Sequence, residues 1–403
     1  MRTMAVMAAA VVLGAGAAAQ GQTLPAKGGG WEEAIHKLSS EDFSVRQAGQ
    51  KDLQKAGLAD CEDLEALAYA AEDPEVRQQL LVRVHDIREA AAVNPPPVTL
   101  ELENATLGET VKALNKAAGL SLAAGADSGG RFTLHAREEP FWEVWFALNR
   151  QGSLAAPRDG RTVHMGSQGP TRGAVTGPYA AFAQEIGYER TVNYQKGGAA
   201  GAGTLTLAYG VAIDPRLRVL RYSPPHLTSV VDDAGHERLV PAAVQTSLQP
   251  AGREWMYRDS VALSVIPGGK EIVSAKGTMH VTLIVSQEQV EVPDMAAHVG
   301  MPIVVGGQRM IFSKFQMPPG GTGNIEFSAS MEALPQNQDR EMVPMRVELM
   351  DGAGKPVYSL QLTGGWGGSL GGNYKPPIKG IFSVPQRVKE VDVPFELKNI
   401  ALP

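Results

Sequence analysis

Asp232, Asp233, His236 and Glu237 form the densest group of metal-ligating side chains in the sequence. Carboxylates and an imidazole on one tight turn could hold a divalent ion. The same run, Val230-Val231-Asp232-Asp233-Ala234-Gly235-His236, recurs as Leu349-Met350-Asp351-Gly352-Ala353-Gly354-Lys355. An apolar strand, Asp-x-Ala-Gly and a second strand make a hairpin signal, which needs Asp and Gly for backbone reasons alone. The second copy lacks the extra ligands, so a structural turn is the leading reading, with Asp232, Asp233 and His236 kept as candidate binding residues. Gly367-Gly368-Ser369-Leu370-Gly371 matches the G-x-S-x-G nucleophile elbow, which needs a helix directly after the serine. Here Gly372, Asn373, Tyr374, Lys375, Pro376 and Pro377 follow, so a Gly-rich loop is expected instead. Asp294 and His298 sit four apart in a segment too short for a ligand helix. Catalytic carboxylates could still come from distant strands, for example Asp214, Asp232 or Glu326.

Phe141, Trp142, Trp145 and Phe146 put two of the five tryptophans on one short stretch. Positions i, i+1, i+4 and i+5 make one wide helical face, with Glu138-Glu139-Pro140 as a helix start. The face predicts a core helix, and the alternative is an exposed edge, Trp142 or Trp145, that anchors a partner. Coplanar exposed rings at Trp255, Tyr257 or Trp366 would mark a carbohydrate site.

These residues sit in a 403-residue chain, enough for two or three domains. Hydrophobic residues at 43% supply packed cores, and 45 Gly with 27 Pro imply many turns and short strands. A formal charge of -6 excludes the basic footprint of a nucleic-acid binder. Residues 1–19 read as a signal peptide: Arg2, the apolar run Ala5–Ala18, and a small-residue cleavage site at Ala17-Ala18-Ala19. A periplasmic or extracellular location follows from it, with no later apolar run long enough to span a bilayer. Residues 20–30 read as a linker. Cys61, the lone cysteine, lies in a helical pattern where a buried thiol acts as a small hydrophobe.

From 31 to 92 the apolar spacing is helical. Asp42-Phe43-Ser44-Val45-Arg46 recurs 31 residues later as Asp73-Pro74-Glu75-Val76-Arg77, with each Asp placed to cap a helix and each Val to face a neighbour. This Asp-x-x-Val-Arg pattern, with Ala48, Leu53 and Gly57 after it, resembles the short HEAT-like repeat; a plain helical hairpin is the other reading. Arg83, His85 and Arg88 read as a solvated helix face.

Asn94-Pro95-Pro96-Pro97 breaks the helix. Thr99-Leu100 then recurs as Thr133-Leu134, and Ala113-Leu114-Asn115-Lys116 as Ala147-Leu148-Asn149-Arg150, every offset being 34. Each unit reads as strand, helix, Gly119 or Gly152 as C-cap, and strand, closed by a strand at 161–165 after a turn at 158–160. The pattern over 97–167 resembles the short N-terminal domain of secretins and TonB-dependent receptors. The resemblance implies a small α/β module that docks against envelope proteins or copies of itself. From 171 onward, alternating strands bounded by Gly, Pro and Asp predict two Ig-like β-sandwiches, 171–292 and 293–403.

The fold class expected is therefore multidomain α+β: a HEAT-like helical piece, a small βαβ-repeat domain and a mainly antiparallel β-sandwich region. The expected function is non-enzymatic binding or scaffolding in the bacterial cell envelope, with an envelope or secreted protein as partner, self-association open, and no cofactor implied. The alternative is an exported hydrolase, or a carbohydrate- or metal-binding module, with its site in the β region.

Overall fold

The computed structural model describes residues 31–126, 129–152, 154–155, 162–165, 169–190, 192–193, 199–200, 203–239, 247–252, 254–318, 322–333, 344–354, 356–362 and 366–403. The expected signal peptide, the linker at 20–30 and the turn at 158–160 lie outside them. The chain is mixed α+β with a β-rich C-terminal region, and it divides into two units, Met1–Ile87 and Arg88–Pro403.

The described part of the first unit is helical: α1 (Trp31–Leu38), α2 (Phe43–Leu53), a 3-10 turn (Leu58–Asp60), α3 (Cys61–Ala70) and α4 (Pro74–Val93), whose last turns belong to the second unit. Leu38, Leu53, Cys61, Leu64, Leu80 and Val84 are among its core residues. The 31-residue repeat is visible in its hydrogen bonds. Asp42 Oδ1 accepts from Ser44 N at 2.7 Å, and Asp73 Oδ1 from Glu75 N at 2.8 Å. The repeated arginines do the same work: Arg46 donates to Ser40 O at 2.8 Å and Arg77 to Ala71 O at 2.6 Å, each six residues back. Val76 is buried, whereas Val45 is 36% exposed, so only the second valine faces a neighbour. Arg83 is more than a solvated residue. Its guanidinium donates to Leu53 O (3.0 Å), Gln54 O (2.7 Å) and Ala56 O (2.9 Å), tying down the chain where it leaves α2.

The second unit opens with β1 (Val98–Ala105), α5 (Leu107–Ala118), β2 (Ala123–Ala124), β3 (Phe132–Glu139), α6 (Phe141–Gly152), β4 (Leu154–Ala155) and β5 (Thr162–Met165). β1 and β3 pair antiparallel with Leu100↔Ala136, Glu101↔His135 and Leu102↔Leu134. Repeat mates 34 apart, Glu101 and His135, thus face each other, and each pair maps onto another when the units are exchanged, a local two-fold. The repeated asparagine also has a shared role. Asn115 bonds both Leu122 O (2.8 Å) and Leu122 N (2.9 Å), and buried Asn149 donates to Pro170 O (2.7 Å). Thr106 and Glu109 form a capping box at the start of α5, and Gly119 ends it at φ 65°. β2, β5 and β4 make a second small sheet, with β2 and β5 parallel.

The rest is strand: β6 (Ala174–Thr176), β7 (Tyr179–Glu189), β8 (Val192–Asn193), β9 (Ala199–Ala200), β10 (Thr204–Ile213), β11 (Val219–Tyr222), β12 (His226–Asp232), β13 (Gln249–Pro250), β14 (Met256–Leu263), β15 (Glu271–Val292), β16 (Pro302–Val305), β17 (Gln308–Gln316), β18 (Thr322–Ala333), β19 (Met345–Met350), β20 (Pro356–Leu362), β21 (Trp366–Asn373), β22 (Lys379–Leu397) and β23 (Ile400–Ala401). β6-β7-β10-β14 and β16-β17-β18-β21 are four-stranded sheets. The largest sheet runs β13-β11-β15-β22-β19-β20, with β12 and β23 also on β15.

β15 and β22 pair from Ala275↔Leu397 to Val292↔Gly380. One half of this ladder joins β7, β10 and β14 around Leu207, Tyr209, Val230, Ala275, Leu397 and their neighbours. The other half joins β16, β17 and β18 around Val292, Met310, Phe312, Phe327 and Phe382. The expected segment 293–403 is therefore not confined to the second core, because Val391, Val393, Phe395 and Leu397 return to the first. The expected loop at 367–371 is instead β21, an edge strand on β18. Its glycines leave room for rings: a Cβ at Gly368 would lie 3.2 Å from Phe327, and one at Gly372 2.6 Å from Tyr374.

Trp145 is 1% exposed within an aromatic cluster, so Trp145→Ala should lower unfolding free energy by about 3–5 kcal/mol. Trp145→Phe, which also removes an unpaired indole N–H, should cost less; urea denaturation of both variants checks the order.

Candidate functional site

Trp142 and Trp145 do not form a docking edge; they are 0% and 1% exposed. Residues far along the chain cover the aromatic face of α6, which shares one core with Ala180 and Phe182 of β7, Ala212 of β10, and Trp255. Trp255 meets Phe141 at 5.9 Å, Trp142 at 6.5 Å and Trp145 at 5.4 Å between ring centroids, all edge-on. Trp255 and Tyr257 are themselves buried, so neither offers a ring face to a sugar. The side chain of Trp366 lies outside the described residues.

Asp232, Asp233 and His236 come together, but as a turn. Asp232 is buried, and its carboxylate accepts from Ala234 N (3.0 Å), His236 N (2.8 Å) and Arg238 Nε (2.6 Å), with His236 Nδ1 at 3.0 Å. Arg238, 3% exposed, also donates to Ile266 O (3.0 Å) and Gly268 O (2.5 Å). Gly268 and Gly269 both have positive φ, which lets the facing turn close over the carboxylate. Asp233 caps the opposite strand through Lys270 N at 2.7 Å, and Glu237 is held by Ser229 Oγ and Val230 N. The carboxylate oxygens a metal would need are committed to backbone amides and an arginine, and among the described residues no cluster of His, Cys, Asp or Glu could hold a metal ion. The twin turn shares only the backbone part: Asp351 Oδ1 accepts from Ala353 N at 3.0 Å, and its carbonyl from Gly354 N at 2.8 Å. The sequence gives no sign that Arg238 is buried, since nothing in its neighbourhood marks it as different from a surface arginine.

The other carboxylates considered for catalysis are also engaged. Asp214 is gripped by Arg216 through two bonds, Nε to Oδ1 at 2.9 Å and Nη2 to Oδ2 at 2.6 Å, while Arg216 Nη1 donates to Pro96 O at 2.5 Å. Glu326 pairs with Lys314 at 2.5 Å on a different sheet. Asp214 and Arg216 line a cleft of about 430 Å³ with Arg218, Glu254, Arg346 and Glu348. Its walls carry both signs of charge, and Arg346 bonds Glu348 at 3.0 Å, so the cleft suits a polar ligand better than an apolar one.

Exposed apolar side chains lie on the edge strand β16 and in the turn before it. Gly306 and Gly307 both have positive φ and make the tight turn into β17. Strand alternation buries Ile303 and Val305 and turns Val304 outward, 46% exposed, beside Met301 (48%) and Val299 (36%) in sequence. Nothing in the alternation requires an apolar residue at 304.

No family model and no curated protein matches the sequence. Among solved structures, a Streptococcus agalactiae AgI/II polypeptide BspA variable (V) domain is similar at 9% identity over 42% of this chain and 89% of that domain, with a TM-score of 0.11. A likeness that slight carries no argument.

Burial opposes ionisation of Asp232, but the His236 amide, the His236 ring and Arg238 outweigh it and hold the carboxyl well below its ordinary 3.8. A depressed pKa gives stability that is complete above the unfolded value and fades as pH falls toward the folded one. Asp232→Asn should therefore lower the melting temperature at pH 7, and its deficit against the parent should shrink below about pH 4. Thermal melts from pH 2 to pH 7 check this.

Proposed function

We propose that this chain is an exported, non-enzymatic binding or scaffolding protein of a bacterial cell envelope, acting through protein–protein contacts. In this reading residues 31–92 are a HEAT-like helical segment and 97–167 a module like the secretin and TonB short N-terminal domain. Residues from 171 onward are two β-sandwiches that share the β15–β22 ladder. Arg2 and the apolar run Ala5–Ala18 support export, and among the described residues no helix is long and apolar enough to cross a membrane.

The observation that carries the reading is the exposed apolar group formed by Val304 of β16 and the turn residues before it. Val304 exposes its side chain on an edge strand whose opposite face is packed around Met310, Phe312 and Phe382, and Val299 and Met301 expose theirs in the turn that leads into it. Exposed apolar groups on a well-packed scaffold are the usual material of a protein contact. The α/β module shares its core with β7, β10 and Trp255, so removing 97–167 would expose that core, and point substitutions make the cleaner test.

A photo-reactive side chain at position 301, activated in the intact envelope, should capture one recurrent protein identifiable by mass spectrometry. With that probe in place, the double change Val299→Glu, Val304→Glu should cut the capture at least fivefold while leaving the melting temperature within a few degrees. Capture that is absent, or unaffected by the double change, would remove β16 as the contact.

A further inference from the structure

We infer that the outer edge of β7 is a docking groove for an extended segment of a partner polypeptide, added to the sheet as one more strand, with apolar and basic side chains alternating along it. This deepens the binding function proposed above and rests on it.

The edge is open because the chain is led away from it. β6 covers β7 only from Thr176↔Tyr179 to Ala174↔Ala181. Continued in register, Gly173 and Arg172 would lie beside Phe182 and Ala183. Instead α6 captures the preceding residues: Asn149 Nδ2 holds Pro170 O at 2.7 Å and Arg150 Nη1 holds Thr171 O at 3.3 Å. β7 runs on to Glu189, paired with β10 on its inner side, from Tyr179↔Ile213 to Glu189↔Thr204. Among the described residues no strand pairs with the outer side beyond Ala181. A row of backbone N–H and C=O groups is left without a ladder partner there, the template for strand addition.

A cleft of about 660 Å³ borders this edge, lined by Phe182–Ile186 on one side and by Glu396–Ala401 on the other, with Arg172 also in its wall and Lys398 paired to Glu396 at 3.0 Å. Leu397 and Ile400 of its lining are buried members of the adjoining core. The register fixes what an added strand would meet. Ala183, Ile186 and Tyr188 stand opposite Tyr209, Leu207 and Leu205, which point into the core. Ile186 is only half-buried and Ala183 and Tyr188 are exposed, so the core face is uncovered at this edge. Glu185, Gly187 and Glu189 alternate with them on the other face, and both glutamates are exposed. An incoming strand with apolar residues at every second position would cover Ala183, Ile186 and Tyr188. Its intervening residues would lie across from Glu185 and Glu189, where opposite charges are favourable and like charges are not.

The probe is an alternating Val–Lys heptapeptide, blocked at both ends, with a block-sequence peptide of equal composition as control. Fluorescence anisotropy should give saturable binding at least tenfold tighter than the control. Hydrogen exchange should slow within 182–189. Glu185→Lys with Glu189→Lys should weaken the Val–Lys peptide at least tenfold and improve binding of a Val–Glu peptide. Ala183→Arg should block both, with circular dichroism unchanged. No slowing of exchange within 182–189 at millimolar peptide, equal binding of the block peptide, or indifference to the charge reversal would overturn the groove. None of these failures touches the capture experiment at position 301, which tests the binding role through a different surface.

Discussion

The ladder between β15 and β22 joins residues about a hundred positions apart, and most of the β-rich region hangs on it. Along one half, Ala275, Met279, Val281, Leu283, Val393 and Leu397 close the cores under β7, β10 and β14. Along the other, Val292, Phe382 and Val384 close the core under β16, β17 and β18. The changeover has a visible cause. Register shifts fall between Ile284 and Gln287, and Pro385 stands opposite Gln287. A bulge bends a strand and sharpens its twist, and a proline is tolerated at such a break in the ladder. Two layers thus share a pair of strands without sharing a core. Pairing this distant in sequence closes a long loop before it gains any contact, which places its formation late in folding.

The same distance explains which parts of the fold were legible from sequence. The 34-residue repeat was readable because its signals are local: Thr-Leu at each strand, Ala-Leu-Asn in each helix, and a glycine after it. The hairpins at Asp232 and Asp351 were readable for the same reason. What covers α6 was not, because Phe182, Ala212 and Trp255 come from three later segments, and an apolar helical face reads alike whether it is covered or bare. The return of Val391–Leu397 to the first layer was hidden by the same kind of pairing. β21 was hidden differently, since glycine has no side chain with which to show alternation.

The candidate site divides along a similar line. A cluster of Asp, Asp, His and Glu has the composition of a metal site, and composition is all that a sequence shows. Whether the oxygens are available depends on geometry. Here the amides of Ala234, His236 and Lys270 and the buried guanidinium of Arg238 take them. Asp214 with Arg216 follows the same logic, a buried carboxylate held by a nearby arginine that also ties down a distant carbonyl, Pro96 O. Breaking such a pair leaves a charge unpaired in the interior, so each acts as a lock on the path of the chain around it.

An open edge poses the opposite problem from a locked turn. An exposed strand edge invites pairing with any other strand, a second copy of the same chain included, and proteins commonly blunt such edges with charge. On β7 that charge is acidic, at Glu185 and Glu189. Two β7 edges brought together would set carboxylates against carboxylates across the new pair, which is unfavourable. A basic extended segment sets its cations against Glu185 and Glu189 and has its alternate apolar residues covered by the floor at Leu397 and Ile400. The carboxylates that discourage self-pairing therefore also define the occupant, because specificity is a difference between affinities and the repulsive half of that difference is built into the edge.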